Sequence, residues 1–305
     1  MWVMGFCFLE FKTSMKTKNH STAILFLIAL TALIGFKAYR LASSEIRSLK
    51  PPRETVSLPN ELTAAYQNIR FETSDNLSLA AWYAAPKNGK TLIFLHGYAG
   101  SRSQVLGEAE LFRANGYGVF LYDARAHGES QGDEVSLGPK EVLDLRAAIA
   151  WLVKQPEVNA KEIGAYGFSM GAATLALEAA KDKRIAVMVF ASSPSSQLDM
   201  SLDEGRYFGA LQAFFQMTVL WAAGADGSHL NYGLAFEKLK GRPILIVQGL
   251  ADKGVTPRQA SKIFEQASEP KSFLLLPHSG HGEFLDNEDA ALYKKTLLAF
   301  FDKNL

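Results

Sequence analysis

"GAYGFSMGAAT", residues 164–174, sets one serine between two glycines where an apolar run gives way to an alanine-rich one. The pattern fits G-x-S-x-G. Read as a strand that turns at once into a helix, it sends Ser169 through a sharp corner. Gly167 and Gly171 then remove side chains that would clash, and Ala172 and Ala173 keep the helix thin against a sheet. The hydroxyl would stand at the positive end of that helix, where developing negative charge is favoured. The same residues also describe a plain N-cap serine with packing glycines. Whether the rest of the chain supplies a base, an acid, an anion site and a suitable sheet separates the two.

From about residue 66 the sequence alternates. "NIRFET" and "LSLAAWYAAP" read as two β-rich runs joined by a turn at 74–76. "KTLIFLHG" and "YGVFLYDAR" are short continuous apolar runs, the mark of strands covered on both faces. Between them the spacing predicts a helix starting at Ser101 or Ser103, with Val105, Ala109 and Phe112 on one face and Asn115-Gly116 stopping it. Val142, Leu145, Ile149 and Leu152 predict another. Strand "KEIGAYGF", helix "SMGAATLALEAAK" and strands "RIAVMVFAS" and "RPILIVQG" follow. A helix opened by Thr256-Pro257, strand "KSFLLLP" and a last helix over 284–302 complete the chain. The expected fold is α/β, a three-layer α/β/α sandwich around a mostly parallel sheet. In such sheets ligands sit beyond the C-terminal strand ends, and Ser169, Asp252 and His281 each follow a strand.

A serine hydroxyl is a poor nucleophile without a base, and the base works best when an acid orients it. "LLLPHSGHGEF" offers His278 and His281; His281, between glycines, is the preferred base. "QGLADKGVTP" puts Asp252 just after a strand as the preferred acid, with Asp199, Asp203 and Asp226 as weaker alternatives. "FLHGYAGSR" ends a strand in a small-residue turn, where the Tyr98 N–H could join that of Met170 to hold an oxyanion.

These stretches, "HGYAG", "DARAHGES", "GFSMG", "GLADKGVTP" and "SGHGEF" in that order, resemble the α/β-hydrolase superfamily of serine hydrolases over residues 66–303. The resemblance implies a Ser169–Asp252–His281 triad in the family's chain order. It also implies membership of a compact branch that includes esterases, monoacylglycerol lipases, serine aminopeptidase-like proteins and thioesterases. In "DARAHGES" the family commonly has glycine where this chain has Ala126; the loop reads as structural, and His127 receives no catalytic role.

The other features bound the reading. A net charge of +1 over 305 residues gives no support to nucleic-acid binding. One cysteine, Cys7, leaves the domain without a disulfide or a cysteine metal site. Six scattered histidines form no zinc-binding spacing, so neither metal nor cofactor is expected. Residues 19–36 carry no Lys, Arg, Asp or Glu and hold the apolar core 21–36, which reads as an N-terminal hydrophobic membrane helix or, alternatively, a cleaved signal. Met15 before "KTKNH" makes the more ordinary start for such a segment. The expected organisation is an anchor or signal over 1–36, a polar linker over 37–65 and the hydrolase domain over 66–305. That domain carries an insertion at about 192–242. In it, residues 207–223 hold 13 apolar positions of 17, a core-packing helix or a lid whose Phe214, Phe215 and Trp221 would meet an acyl chain. The expected partner is a small-molecule or lipid-like ester.

Overall fold

In the computed structural model each of the eight runs read as strands is one: β1 (Gln67–Glu72), β2 (Ser78–Ala84), β3 (Thr91–Leu95), β4 (Gly118–Tyr122), β5 (Ile163–Phe168), β6 (Ile185–Ala191), β7 (Ile244–Gly249) and β8 (Lys271–Leu276). Residues 49–204 and 231–305 are described continuously, with isolated positions inside 26–47 and 214–221. The strands form one sheet in the order β1-β2-β4-β3-β5-β6-β7-β8. The β1–β2 and β2–β4 pairs are antiparallel; all the others are parallel.

The continuous apolar runs follow from what covers them. Along β3, Ile93 and Leu95 join one core cluster, while Leu92 and Phe94 join a second on the opposite face. Strand β7 divides likewise, with Ile244 and Ile246 on one side and Leu245 and Val247 on the other. Helices α1 (Leu106–Ala114) and α7 (Ala290–Asn304) cover the face of the second cluster through Ala109, Phe112, Tyr293, Leu297 and Phe301. Helices α2 (Glu141–Leu152), α3 (Met170–Ala179) and α6 (Pro257–Gln266) cover the other. Between β6 and β7 lie α4 (Gln197–Glu204) and the short α5 (Gly233–Phe236).

One boundary differs from the sequence reading. The last helix starts at Ala290, not at 284, because Phe284 is fully buried in the preceding loop, against Phe168 and Tyr293.

The chain divides into two compact units, Met1–Ile46 and Arg47–Leu305. In the first, the described positions are helical and expose Phe26, Leu33, Phe36 and Tyr39. The apolar stretch 21–36 lies largely outside the described residues. Among the described residues no helix is long and apolar enough to cross a membrane. In the second unit the polar segment after residue 49 lies along the domain. There the Arg53 guanidinium donates to the carbonyls of His127, Gly128, Ser130 and Gly132.

Candidate active site

The parallel strands end side by side, and the residues that follow them meet. Ser169 continues β5, and its N–H donates to the Ala191 carbonyl at the end of β6 (2.9 Å). Its backbone has φ 52° and ψ −116°, a left-handed conformation that costs a non-glycine residue about 1–3 kcal/mol. The two glycines make that corner possible. A Cβ on Gly171 would come 2.5 Å from the Leu95 carbonyl oxygen, and one on Gly167 would come 2.7 Å from the Ala172 Cα. Ser169 makes no N-cap hydrogen bond with its side chain, so the capping alternative does not describe it.

The Ser169 hydroxyl points instead to a histidine. His281 Nε2 lies 3.1 Å from Ser169 Oγ, and His281 Nδ1 lies 2.8 Å from Asp252 Oδ2. Asp252 accepts further bonds from the Gly254 and Val255 N–H groups, the Ser192 hydroxyl and the Gln248 side-chain amide. Burial pushes the Asp252 carboxyl up, but the hydrogen bond and charge of His281 and the Ser192 hydroxyl outweigh it. The group is held below the ordinary aspartate value. An ionised Asp252 has no proton to donate and can only accept from Nδ1, which leaves Nε2 facing the Ser169 hydroxyl, an arrangement that can act as a general base. The Phe168 ring, 4.9 Å from the imidazole, supports it from beneath. Gly249 lets the two loops approach, since a Cβ there would sit 2.3 Å from the Ser279 carbonyl oxygen.

The alternatives considered in the sequence are engaged elsewhere. His278 is exposed, with Nε2 3.5 Å from Glu288. Asp199 binds Ser195 and Lys262, and Asp203 binds Thr256, Arg258 and Gln259. Asp226 lies outside the described residues, as does most of 205–230. Phe214 and Trp221 sit at helical positions within that span and are exposed; Phe215 is outside the described residues.

Across the serine from His281, the turn after β3 presents its backbone. A Cβ on Gly97 would come 3.3 Å from the Ser169 Cβ, so this turn lies against the hydroxyl. The Gly97 N–H donates to Gln104, that of Ala99 to His127 Nε2 and that of Gly100 to the Gly97 carbonyl. Among the described residues the N–H groups of Tyr98 and Met170 have no acceptor. They are the two donors read from the sequence.

This turn is fastened to the one after β4 by a reciprocal pair of histidines. His96 accepts from the Ala124 N–H at Nε2 and donates from Nδ1 to the Gly97 carbonyl. His127 accepts from the Ala99 N–H at Nε2 and donates from Nδ1 to the Arg125 carbonyl. Both roles require neutral rings. Burial lowers each to about 4, opposed by the backbone bond each makes. The buried pair Arg102–Asp123 adds a charged fastening, with Glu129 on the same guanidinium.

Sequence reading missed Ser192, Gln248 and Phe168 as supports of the acid and base, and gave His96 no role. Two signals were available: Ser192 ends β6 as Ser169 ends β5, and Gly249 is a strand-end glycine like Gly167.

The X-Pro dipeptidyl-peptidase (S15 family) model matches residues 60–237. The chain is similar to the polyketide transferase ATR5 of Stachybotrys chlorohalonatus, 24% identical over 78% of this chain and 97% of that protein. The thiohydrolase aneE of Aspergillus aculeatus is 34% identical over 41% of this chain and 40% of its own. Among solved structures, an esterase of Pyrococcus furiosus superposes with a TM-score of 0.70 at 26% identity, covering 84% of this chain and 97% of that one.

Proposed function

This chain belongs to the X-Pro dipeptidyl-peptidase (S15) family of α/β hydrolases, and we propose that it is a serine hydrolase cleaving a carboxylic ester with an apolar acyl group. The observation that carries this reading is the hydrogen-bonded line from Asp252 through His281 to Ser169, beside two unspent N–H groups. His281 Nε2 takes the Ser169 proton as the serine oxygen attacks the ester carbonyl. Asp252 keeps the imidazole in its Nδ1–H tautomer and balances the imidazolium that forms. The oxyanion develops against the Tyr98 and Met170 N–H groups, at the N-terminus of α3. His281 then returns the proton to the leaving alcohol. A water deprotonated by the same imidazole releases the acyl group and restores the serine.

The apolar preference is supported by Tyr98, Leu198, Leu202 and Leu250. All four are exposed, in segments that follow the C-terminal ends of β3, β6 and β7. The charge-free stretch 19–36 supports tethering of this domain at a membrane.

The family's name, the thiohydrolase and the polyketide transferase favour a second reading. In it the same residues act on an amide or thioester, or pass the acyl group to an acceptor other than water. One set of measurements addresses both. A fluorophosphonate probe should label the wild type and leave Ser169→Ala unlabelled; labelling of the variant overturns the nucleophile assignment. Rates on matched p-nitrophenyl esters, acyl-thioesters and aminoacyl or X-Pro amides then rank the bond. Esters of medium or long acyl chain are expected to lead, and faster X-Pro amide cleavage would replace the first reading with the second.

A further inference from the structure

Ser192 occupies the position after β6 that Ser169 occupies after β5. Its φ is +45°, again left-handed, and its side chain is fully buried. Six described non-glycine residues adopt positive φ, and four of them, Ala99, Ala126, Ser169 and Ser192, lie in the turns around the candidate site. A glycine would relieve this strain at Ser192, so packing alone gives no reason for a serine there. Its hydroxyl supplies one: Oγ donates to Asp252 Oδ2 at 2.9 Å, the oxygen that also faces His281 Nδ1 at 2.8 Å.

Resting on the hydrolase reading above, we propose that Ser192 is a positioning residue of the relay: its hydroxyl fixes the Asp252 carboxylate and, by sharing Oδ2, sets how basic His281 is. The Gln248 side-chain amide also donates to Oδ2, at 3.2 Å, and the Ser192 hydroxyl is the shorter of the two added bonds; each draws charge from the oxygen that faces His281. The groups facing Asp252 are His281 from the loop after β8, Ser192 from the end of β6, and Gln248 with the Gly254 and Val255 N–H groups from β7 and its loop. Among these, His281 is the one with an ionisable side chain. The other oxygen, Oδ1, is held by the two backbone N–H groups, so Oδ2 is where a side chain can tune the carboxylate.

The test uses Ser192→Gly, which suits the positive φ and therefore folds, alongside Ser192→Ala, which keeps the strain. In both, kcat should fall about tenfold with KM unchanged, and the acidic limb of the kcat/KM profile should move up by about half a pH unit. NMR titration of His281 should show the same upward shift. A folded Ser192→Gly with kcat within twofold of wild type and an unmoved His281 titration overturns the proposal. Because the titration needs no turnover, it decides the Ser192 role even if the wild type shows no Ser169-dependent hydrolysis, an outcome that would sink the hydrolase reading instead.

Discussion

On one side of Ser169, His281 is about a third exposed and its ring nitrogens are shared between a carboxylate and a hydroxyl. On the other side, His96 and His127 are buried, and both nitrogens of each are spent on backbone groups. The same imidazole is thus used for opposite ends. In the proposed reaction one ring gains and loses a proton in every cycle; the other two hold their turns only while they stay neutral. The difference lies in the partner. An anion beside His281 stabilises the imidazolium. Around His96 and His127 desolvation by burial is the largest influence and disfavours a charge, outweighing the pull of Glu141 and Asp123 on His127. An oxyanion site needs fixed dipoles and a proton relay needs a movable charge, and the proposed reading has both built from the same residue type by a change of solvent access.

The largest expected effect removes the movable charge and leaves the fixed side intact. Asp252→Asn keeps size and most hydrogen-bond reach, but the neutral amide no longer dictates which nitrogen of His281 carries the proton. With the proton on Nε2, the imidazole has no lone pair for Ser169. A fall in kcat of about 10⁴-fold is expected, with thermal stability close to wild type. Activity within tenfold of wild type would mean that Asp252 does not orient the base, and the contrast between the two sides would collapse.

The fixed side should fail through stability instead, and in acid. His96 and His127 titrate near 4 in the folded chain, against an ordinary value of 6.5. Above about pH 6.5 neither the folded nor the unfolded chain holds these protons, and their contribution is complete. As the pH falls, the unfolded chain takes up protons that the folded one refuses until about pH 4. Stability is therefore lost across that window, with a slope approaching about 1.4 kcal/mol per pH unit for each ring. Asp252, also lowered, adds loss in the same direction at lower pH. Denaturant unfolding from pH 7 to 4.5 measures this, and His127→Phe should remove one ring's share of the slope. An unchanged slope in that variant would show that His127 is not held neutral by its surroundings.

Much of this arrangement was legible in the residues. The central strands could be read because a parallel strand covered on both faces is apolar along its length, as in "TLIFL", while β1 and β2 could be read from two β-rich runs about a turn. That Ser169, His281 and Asp252 meet could be read because strand ends converge in such a sheet. The boundary of the last helix could not: Phe284 is apolar at helical spacing, yet it is buried by a loop that packs it under Phe168. Ser192 and the histidine pair were opaque for another reason. Their work consists of hydrogen bonds between segments 28 to 60 residues apart; a strand-end position could flag Ser192, but no local pattern names a partner at that range.

Ala126 gives the finest test of the fixed side, because it is where the chain departs from the pattern that its loop resembles. With φ +63° it holds the left-handed conformation that a glycine would adopt freely. The alanine is buried, and its N–H donates to the Gln131 carbonyl, so the backbone cannot relax without breaking the turn. Neighbouring contacts impose the shape: His127 reaches across to Ala99, and Arg53 grips four carbonyls from 127 to 132. Ala126→Gly should therefore keep the same loop and relieve strain worth about 1 kcal/mol, partly offset by the greater freedom of glycine in the unfolded chain. A rise in Tm of about 1–2 °C at unchanged kcat is the expected result. A lower Tm would mean that the alanine methyl contributes more by packing than its conformation costs. A fall in kcat would mean that the loop's rigidity reaches the Tyr98 N–H through His127 and is set by the methyl itself.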